Sequence, residues 1–345
     1  MKIGIDCRAL TGSWRFRGIA NYTNNLIRAI EELGYSPVLY AWPCEDFDKN
    51  HKIELFGSTN YAIWENINLP IRLIEDGIDL VILPLNTGPV FYNYSKKLII
   101  IHDLIAFDEK IKFRYSNLYK RWNLKLQNKK QKFIFVSETV RSEFKDLFKC
   151  RNDTNILHNV FTPIKQLFFN RNNNKYIFSI SGTSETKNLS KLIDSYLIYL
   201  DRGGELDLYI LGVDDVTRQK YEQVIGPMKN KIKFLSTGIS SKYLHELYQN
   251  SSLFVFISTQ EGFGIPLLEA VQYKVPIVRS NIKVFNEILN STKYVCSPYD
   301  SSEIANNIAL AEKEKFIISD IDMSFLFKKY SFPNYKNKLK KILNE

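Results

Sequence analysis

A series of short, continuous apolar runs is the feature that most constrains how this chain can fold. Each run is five to seven residues long and rich in β-branched and aromatic side chains, and stretches with helical periodicity separate the runs. Such runs predict strands that are buried on both faces of a parallel sheet, with helices between them. The runs are residues 2–6, 37–41, 79–84, 97–103 and 132–137, then 175–181, 206–212, 231–236, 253–258 and 275–280.

The polar stretch FFNRNNNK (168–175) divides the runs into two sets of five. A chain of 345 residues is long enough for two domains, each with its own core. We therefore expect an α/β protein with two doubly wound, Rossmann-like parallel-sheet domains, which span 1–168 and 175–328. The last segment, 329–345, predicts a lysine-rich amphipathic helix that either packs back on the first domain or ends the second.

The loops at the carboxyl ends of the strands are where such sheets bind ligands, and two facing domains would place these loops across one cleft. A net charge of +10 suits an anionic partner, but no RNA-binding, helix-turn-helix or zinc motif supports nucleic acid. No apolar stretch reaches the length of a membrane span, and the N-terminus lacks the pattern of a signal peptide. These features favour a cytoplasmic protein.

The stretch EGFGIPLLEA (261–270) follows the apolar run that ends at Ser258. Pro266 suits the first position of a helix, and the glycines let a ligand come close to the backbone. The N-terminus of such a helix attracts phosphate through its N–H groups and its dipole. Glu261 and Glu269 can accept hydrogen bonds from sugar hydroxyls on either side, so the stretch predicts a site for a sugar diphosphate. The alternative is a plain strand-to-helix turn, with Glu261 as a loop acceptor and Glu269 solvated on the surface.

This stretch resembles the E-x7-E signature of retaining GT-B glycosyltransferases, family 4 in the usual classification, and the chain as a whole is similar to the bacterial surface-polysaccharide mannosyltransferases among them. The resemblance covers nearly the whole chain, because further segments resemble the family's elements in the same order. These segments are GIDCRALTGSWRFRGIANYTNNL, IHDLI, FIFVSETVRSEF, ILHNVF, ISGTSETKNLSKLIDSY, SNIKVFNEI and SPYDSSEIANNI. The resemblance implies a GT-B fold and a nucleotide diphosphate sugar as the donor.

The resemblance also implies roles for individual residues. Three are expected to be catalytic: His102 would contact the donor sugar, Lys187 would neutralise the leaving diphosphate, and Glu261 would contact the transferred sugar. Glu269 would bind the ribose hydroxyls of the nucleotide, and the backbone N–H groups of 263–267 would hold the diphosphate. The expected donor-binding residues are Gly18, Asp103, Gly182, Thr183, Phe263, Gly264, Ile265, Pro266, Leu267 and Glu269.

The chain departs from the family pattern in the loop that carries Lys187. This loop is one residue shorter, and Gly182 or Thr183 stands where many members have an arginine. Neutralisation of the phosphates would then depend more on Lys187 and on the backbone. Without the resemblance, Lys187 could equally be a solvated lysine at a helix start, and His102 a strand-end histidine that pairs with Asp103.

Two basic regions of the first half are further candidates for contacts with anions. Gly18 would let the loop after the first strand approach the cleft, and the neighbouring Arg15 and Arg17 would either contact acceptor or phosphate or be solvated. Segment 112–132 has eight basic residues, no acidic residue and several aromatic ones. It predicts either a helix on an anionic membrane surface or a core-packed helix with a lysine-rich outer face.

The Asp-x-Asp pair of Asp320 and Asp322 lies near the C-terminus rather than beside a nucleotide-binding loop, so we expect neither a metal nor another cofactor. The interpretation is a retaining hexosyltransferase that moves a hexose such as mannose to a saccharide or lipid-linked acceptor in bacterial O-antigen or capsule synthesis. It would lie in the cytoplasm, on the inner face of the plasma membrane if 112–132 binds lipid. The alternatives are a sugar phosphorylase or nucleotide-sugar epimerase of the same fold, or a non-catalytic polyanion-binding protein.

Overall fold

The computed structural model of the chain describes residues 1–16, 18–108, 115–127, 132–149, 154–164 and 176–344. The chain forms two compact units. Unit 1 comprises Met1–Phe161 together with Tyr330–Glu345, and unit 2 comprises Thr162–Lys329. The predicted domain limits at 168 and 175 lie outside the described residues.

Unit 1 contains a seven-stranded sheet in which all neighbouring strands are parallel. Its strands are β1 (Ile3–Asp6), β2 (Val38–Ala41), β3 (Ile53–Leu55), β4 (Leu80–Leu83), β5 (Lys96–Ile101), β6 (Lys132–Phe135) and β7 (Thr154–Ile156), in the spatial order β3-β2-β1-β4-β5-β6-β7. All residues of β1 and β4 are buried, as the continuous apolar runs predict for strands covered on both faces.

Helices connect the strands of unit 1. They are α1 (Gly18–Glu32), α2 (Tyr61–Ile63), a π-helical turn (Trp64–Asn68), α3 (Leu69–Glu75), α4 (Tyr115–Gln127) and α5 (Glu138–Phe148). The first of these is amphipathic and buries Tyr22, Leu26 and Ile30. A serine caps α5, since the Ser137 hydroxyl oxygen accepts the Val140 N–H at 3.2 Å.

Unit 2 contains a six-stranded parallel sheet. Its strands are β8 (Tyr176–Ile180), β9 (Asp207–Leu211), β10 (Ile232–Leu235), β11 (Leu253–Phe256), β12 (Ile277–Ser280) and β13 (Tyr294–Cys296), in the order β10-β9-β8-β11-β12-β13. Its helices are α6 (Leu189–Asp201), α7 (Asp215–Ile225), α8 (Ser241–Gln249), α9 (Ile265–Gln272), α10 (Lys283–Ile288), α11 (Ser301–Glu314) and α12 (Asp320–Lys329).

The last helix, α13 (Phe332–Asn344), packs on α1 within unit 1. Lys336 Nζ lies 2.7 Å from Glu32 Oε2, and the Arg28 guanidinium lies 3.9 Å from the centroid of the Phe332 ring. The Tyr335 ring contacts the Tyr22 ring edge-on at 5.8 Å. The C-terminal helix is therefore part of unit 1 and packs against α1.

The strand order of each sheet reverses beside the first strand of its unit, between β1 and β4 and between β8 and β11. At such a switch point the loops leave two adjacent strands in opposite directions and open a crevice at the carboxyl edge. The residues that follow these four strands are therefore the first place to look for a site.

Candidate active site

Two predicted catalytic residues meet at the switch point of unit 2. Lys187 ends a short 3-10 turn after β8, and Glu261 lies in the loop after β11. Because these strands are neighbours, Lys187 Nζ donates to Glu261 Oε1 at 2.6 Å, and the Ser258 hydroxyl donates to the same oxygen at 2.8 Å. The alternative of a merely solvated lysine is therefore wrong.

The Lys187–Glu261 pair is only partly shielded from solvent. The side chains are 29% and 14% exposed, respectively, and the Lys187 ammonium lies 5.2 Å from the centroid of the Phe256 ring. Partial desolvation strengthens an ion pair, but partial exposure leaves both groups within reach of a ligand. The pair can exchange its internal partner for groups on a bound molecule.

Asn188 fixes the loop that carries Lys187, a role that the sequence did not reveal. It has a left-handed backbone with φ of 60°. Its amide donates to the carbonyls of Ile257 at 3.1 Å and Pro298 at 2.6 Å. Asparagine tolerates a left-handed backbone better than most residues. An asparagine directly after the lysine could therefore have indicated this turn.

The loop after β8 begins at Gly182, where the family pattern often has an arginine. Gly182 has φ of +77° and faces Gly212 of the neighbouring loop, with 3.5 Å between its ideal Cβ position and the Gly212 carbonyl oxygen. Thr183 is exposed at the edge of this loop. The positive φ favours glycine here. Phosphate contact by either residue stays a prediction.

The turn before α9 depends on Gly264, whose φ is +104°. A Cβ at this position would lie 2.9 Å from a carbon of the Phe285 ring, so a larger residue would strain the turn. The helix begins at Ile265, which makes Pro266 its second residue rather than its first. Pro266 has no N–H, and the Leu267 N–H already donates to the Gly264 carbonyl at 3.0 Å. Diphosphate contact by the backbone of 263–267 stays a prediction.

Glu269 lies one turn into α9 and is held by a buried tyrosine. The Tyr248 hydroxyl donates to Glu269 Oε2 at 2.8 Å, and burial raises the pKa of the Glu269 carboxyl. The Tyr248 ring stacks on the Tyr273 ring with 5.4 Å between centroids. Glu269 is thus not a freely solvated surface residue. The Phe263 side chain is buried, so only its backbone can contact a donor.

In unit 1, His102 follows β5 and is almost fully buried. Its Nε2 lies 3.0 Å from the Pro84 carbonyl oxygen, which can only accept, so Nε2 carries a proton. Burial lowers the pKa of His102 to about 4, and the ring is therefore neutral at pH 7. The partner of His102 Nε2 is thus the Pro84 carbonyl, while Asp103 Oδ1 accepts the Ile105 N–H at 3.1 Å and acts on the imidazole only through its charge. Contact of His102 and Asp103 with the donor stays a prediction.

Two residues position His102 that the sequence did not reveal. Asn86, after β4, has φ of 65°, and its side-chain oxygen accepts the His102 N–H at 2.6 Å. The Tyr22 ring of α1 meets the imidazole edge-on, with 4.8 Å between centroids. A polar residue two positions after an apolar run is the signal that could have identified Asn86.

The switch point of unit 1 holds a buried ion cluster. Arg8 Nη2 lies 2.6 Å from both Asp6 Oδ2 and Glu65 Oε2, and all three side chains are fully buried. The guanidinium lies 4.1 Å from the centroid of the Tyr61 ring, and the Tyr119 hydroxyl donates to Glu65 Oε1 at 2.7 Å. Solvent does not reach these charges.

The loop before α1 contains the other candidates of unit 1. Gly18 is the exposed first residue of the helix, and a Cβ there would meet no atom, so this structure does not require a glycine. Arg15 pairs with Asp46, and Asp48 accepts a hydrogen bond from Asn24. Arg17 lies outside the described residues, and donor contact by Gly18 stays a prediction.

The carboxylates of Asp320 and Asp322 each have a partner nearby. Asp320 Oδ1 lies 2.6 Å from Lys274 Nζ, and Asp322 accepts the Ser319 hydroxyl at 2.7 Å. Among the described residues, no three His, Cys, Asp or Glu side chains form a group that could hold a metal ion. Within the same ranges, no helix is long and apolar enough to cross a bilayer.

Known proteins resemble this chain in sequence and in fold. Residues 162–324 match the family model described as Glycosyl transferases group 1. The O-antigen chain mannosyltransferase RfbU of Salmonella typhimurium is 24% identical over 310 residues, which cover 89% of this chain and 84% of that protein. The serotype-specific mannosyltransferase WbdA of Escherichia coli is 33% identical over 143 residues, or 40% of this chain and 17% of that protein.

The structural comparison extends over both units. The crystal structure of Anabaena HepE in complex with UDP has a TM-score of 0.75 to this chain at 16% sequence identity. The alignment covers 100% of each chain. The likeness therefore concerns the fold of the whole chain, at a level of identity that says nothing about substrate.

Proposed function

This chain is a glycosyltransferase with the GT-B fold, and we propose that it transfers mannose from a nucleotide diphosphate mannose to a saccharide of a bacterial O-antigen. Two relatives support mannose, since RfbU and WbdA are both described as mannosyltransferases. RfbU is further described as acting on the O-antigen chain, and HepE was solved with UDP. These relatives favour transfer over the phosphorylase, epimerase and non-catalytic alternatives.

The Lys187–Glu261 ion pair is the observation that carries this proposal. When the bond between sugar and diphosphate breaks, negative charge develops on the leaving phosphate oxygen, and a nearby ammonium stabilises it. Glu261 holds the Lys187 ammonium at the carboxyl edge before a donor arrives. A bound diphosphate would take over the ammonium, which would release the Glu261 carboxylate to accept hydrogen bonds from the sugar hydroxyls.

The start of α9 supplies the second electrostatic contribution to the proposed donor site. The N-terminus of a helix carries a partial positive charge, and no side chain caps α9 at Gly264. The diphosphate would lie against the N–H groups of Gly264 and Ile265. One turn further along, Glu269 would accept the ribose hydroxyls, with its carboxylate oriented by Tyr248.

We further propose that transfer retains the configuration of the anomeric carbon. The acceptor hydroxyl would attack on the face that the diphosphate leaves, forming the new C–O bond as the bond to the phosphate oxygen breaks. The acceptor proton would pass to that phosphate oxygen, while Lys187 and the α9 N-terminus stabilise the negative charge of the diphosphate. In this scheme the two groups serve in place of a metal ion, and activity should persist with a chelator.

The acceptor is proposed to be lipid-linked and to meet the enzyme at the inner face of the plasma membrane. The basic composition of 112–132 supports this location, because anionic lipids attract lysine-rich segments. Residues 112–114 and 128–131 lie outside the described residues, so the structural support comes from α4.

A donor panel tests the proposed reaction. Purified full chain should be stabilised against heat by a mannose nucleotide such as GDP-mannose, through mass action, more than by UDP-glucose or UDP-N-acetylglucosamine. With an O-antigen saccharide acceptor it should then release nucleoside diphosphate, and NMR should show a product of retained anomeric configuration. Transfer from a glucose donor alone would rule out mannose as the substrate, and an inverted product would rule out retention.

A further inference from the structure

The helical run 61–75 of unit 1 exposes four isoleucines on one face. They follow one another at intervals of three or four residues, which places them in a single stripe along the helix. The exposed fractions are 44% for Ile63, 53% for Ile67, 52% for Ile71 and 49% for Ile74. The opposite face buries Trp64, Leu69 and Leu73. A different apolar face of this helix therefore packs on the core, and the isoleucines are not needed there.

A second exposed stripe lies on α4. Leu118, Trp122 and Leu126 are each roughly half exposed, and their spacing of four places them on one face. Lys125 is exposed on the same face, while Asn123 and Leu124 are buried on the other. The helix thus packs on the core, as one of the two sequence-based alternatives for 112–132 predicts. Its outer face, however, is more apolar than that alternative expects.

Asn66 brings these two stripes and a third element together. Its side-chain amide donates to the Tyr119 hydroxyl of α4 at 2.7 Å, and its side-chain oxygen accepts the Val90 N–H at 3.1 Å. The Tyr119 ring in turn lies 6.0 Å from the Trp122 ring, and Phe91, which follows Val90, is 78% exposed. The run 61–75, α4 and this loop are therefore neighbours, and each of them has exposed apolar side chains. We call these side chains the apolar surface; it comprises Ile63, Ile67, Ile71, Ile74, Phe91, Leu118, Trp122 and Leu126.

Basic residues accompany the apolar surface. Lys125 is exposed on the same face of α4 as Trp122. In the sequence, segment 112–132, which contains α4, has eight basic residues and no acidic one. On the run 61–75, Glu65 is fully buried, and the exposed Glu75 lies beside Arg72, with 3.7 Å between the two charged groups. Protein interfaces are depleted in lysine, whereas aliphatic and aromatic side chains next to lysines suit the boundary between headgroups and acyl chains.

We propose that the apolar surface docks on an anionic lipid bilayer. The isoleucines, Phe91 and Trp122 would enter the boundary between headgroups and acyl chains, and Lys125 would pair with anionic headgroups. The inference rests on the proposed function only in that a lipid-linked acceptor gives the docking a purpose. Lipid binding itself needs neither donor nor acceptor, so the two proposals can fail separately.

Cosedimentation of the full chain with vesicles tests this surface. Vesicles of equimolar phosphatidylglycerol and phosphatidylcholine should bind the protein, and vesicles of phosphatidylcholine alone should bind it much less. The double variant Ile67→Ser/Ile71→Ser should lower the affinity for the anionic vesicles by about tenfold or more, because it removes two apolar contacts from the boundary. The matched control is Val216→Ser/Val224→Ser on α7 of unit 2, where both valines are at least 75% exposed, and it should bind as the unchanged protein does.

Both variants should keep the thermal midpoint and the release of nucleoside diphosphate with a soluble saccharide acceptor in the absence of vesicles, since the replaced side chains are exposed and distant in sequence from the candidate site. Equal vesicle binding by the isoleucine variant and the control would overturn the proposal, as would no binding to anionic vesicles. If light scattering shows a dimer that the isoleucine variant abolishes while vesicle binding is unchanged, the surface is an interface with a second copy instead.

Discussion

The two sheets of this protein have the same kind of switch point, yet they use charge in opposite ways there. In unit 2, Lys187 and Glu261 form a pair with 29% and 14% of their side chains exposed. In unit 1, Arg8 joins Asp6 and Glu65 with no exposure of any of the three side chains. Each group includes a cation that follows the first strand of its unit, Lys187 after β8 and Arg8 after β1.

The difference teaches that access, rather than charge at a strand end, separates a binding site from a structural lock. A fully buried ion cluster keeps its partners, because removal of one leaves an uncompensated charge without water. It ties the end of β1 to the helical run 61–75. A partly exposed pair loses little when a ligand replaces one partner, so it suits a site that must accept and release a diphosphate.

The largest expected effect is the loss of stability when the buried cation of unit 1 is removed. Arg8→Met leaves Asp6 and Glu65 buried without their cation and should lower the free energy of unfolding by about 3–5 kcal/mol. Urea unfolding followed by tryptophan fluorescence measures this loss for unit 1, because all four tryptophans lie in that unit.

Arg141→Met is the matched control for Arg8→Met, since Arg141 pairs with Glu138 on the partly exposed face of α5 in the same unit. It should change the free energy of unfolding by less than about 1 kcal/mol. Similar values for the two variants would mean that the cluster does not lock unit 1.

The exposed pair should show the reverse pattern, with activity lost and stability kept. Lys187→Ala should lower kcat by about 10²–10³-fold, because the leaving diphosphate loses its ammonium. The free energy of unfolding should fall by less than about 1 kcal/mol, since Ser258 still donates to Glu261. Steady-state release of nucleoside diphosphate and urea unfolding measure the two quantities on the same preparation.

Lys242→Ala is the control for Lys187→Ala, because Lys242 is an exposed lysine of the same unit. It should leave both kcat and stability unchanged. A Lys187 variant with full kcat would contradict the proposed role in catalysis. A variant that unfolds would show that the Lys187–Glu261 pair stabilises the fold, as the buried cluster of unit 1 does.

The smallest expected effect is a dependence of the stability of unit 1 on pH, through the buried His102. Burial lowers the pKa of His102 to about 4, below the value of about 6.5 expected for an unfolded chain. Between these values the unfolded chain binds the proton and the folded chain does not, so this stabilisation is present at pH 7 and is lost as pH falls. Its contribution should drop by about 2 kcal/mol between pH 7 and pH 5.

The pH effect of His102 is read as a difference between two proteins, since carboxylates also titrate in this range. The unchanged protein and His102→Gln are unfolded in urea at pH 7 and pH 5, again by tryptophan fluorescence. The change in unfolding free energy between the two pH values should be about 2 kcal/mol larger for the unchanged protein. Equal changes would show that the imidazole is solvated in the folded state.

The sequence predicted most of the sheet structure correctly, and the three strands it missed share a cause. All ten apolar runs became strands, but β3, β7 and β13 were not foreseen. Each of these has three residues and forms an edge of its sheet. Edge strands pair on one side only and are often short, so they lack the continuous apolar run that marks a central strand.

Individual side chains of the candidate site were predictable only where their signal was local. The turn 261–270 was predictable, because glycine, proline and glutamate at fixed spacing directly indicate the backbone conformation and the start of the helix. Asn86, Asn188 and Tyr248 were missed, since each acts through a partner that lies on another element. The resemblance supplied Lys187 by position, but not its bond to Glu261.

The sequence by itself determined the two α/β units, their central strands and the turn before α9, because apolar periodicity and backbone preference act between near neighbours in the chain. Only the tertiary structure decided which charges remain within reach of a ligand. Lys187 and Glu261 lie 74 positions apart, and Arg8 and Glu65 lie 57 positions apart. Strand order brings each set together, and the packing around it determines whether water, and therefore a substrate, can enter.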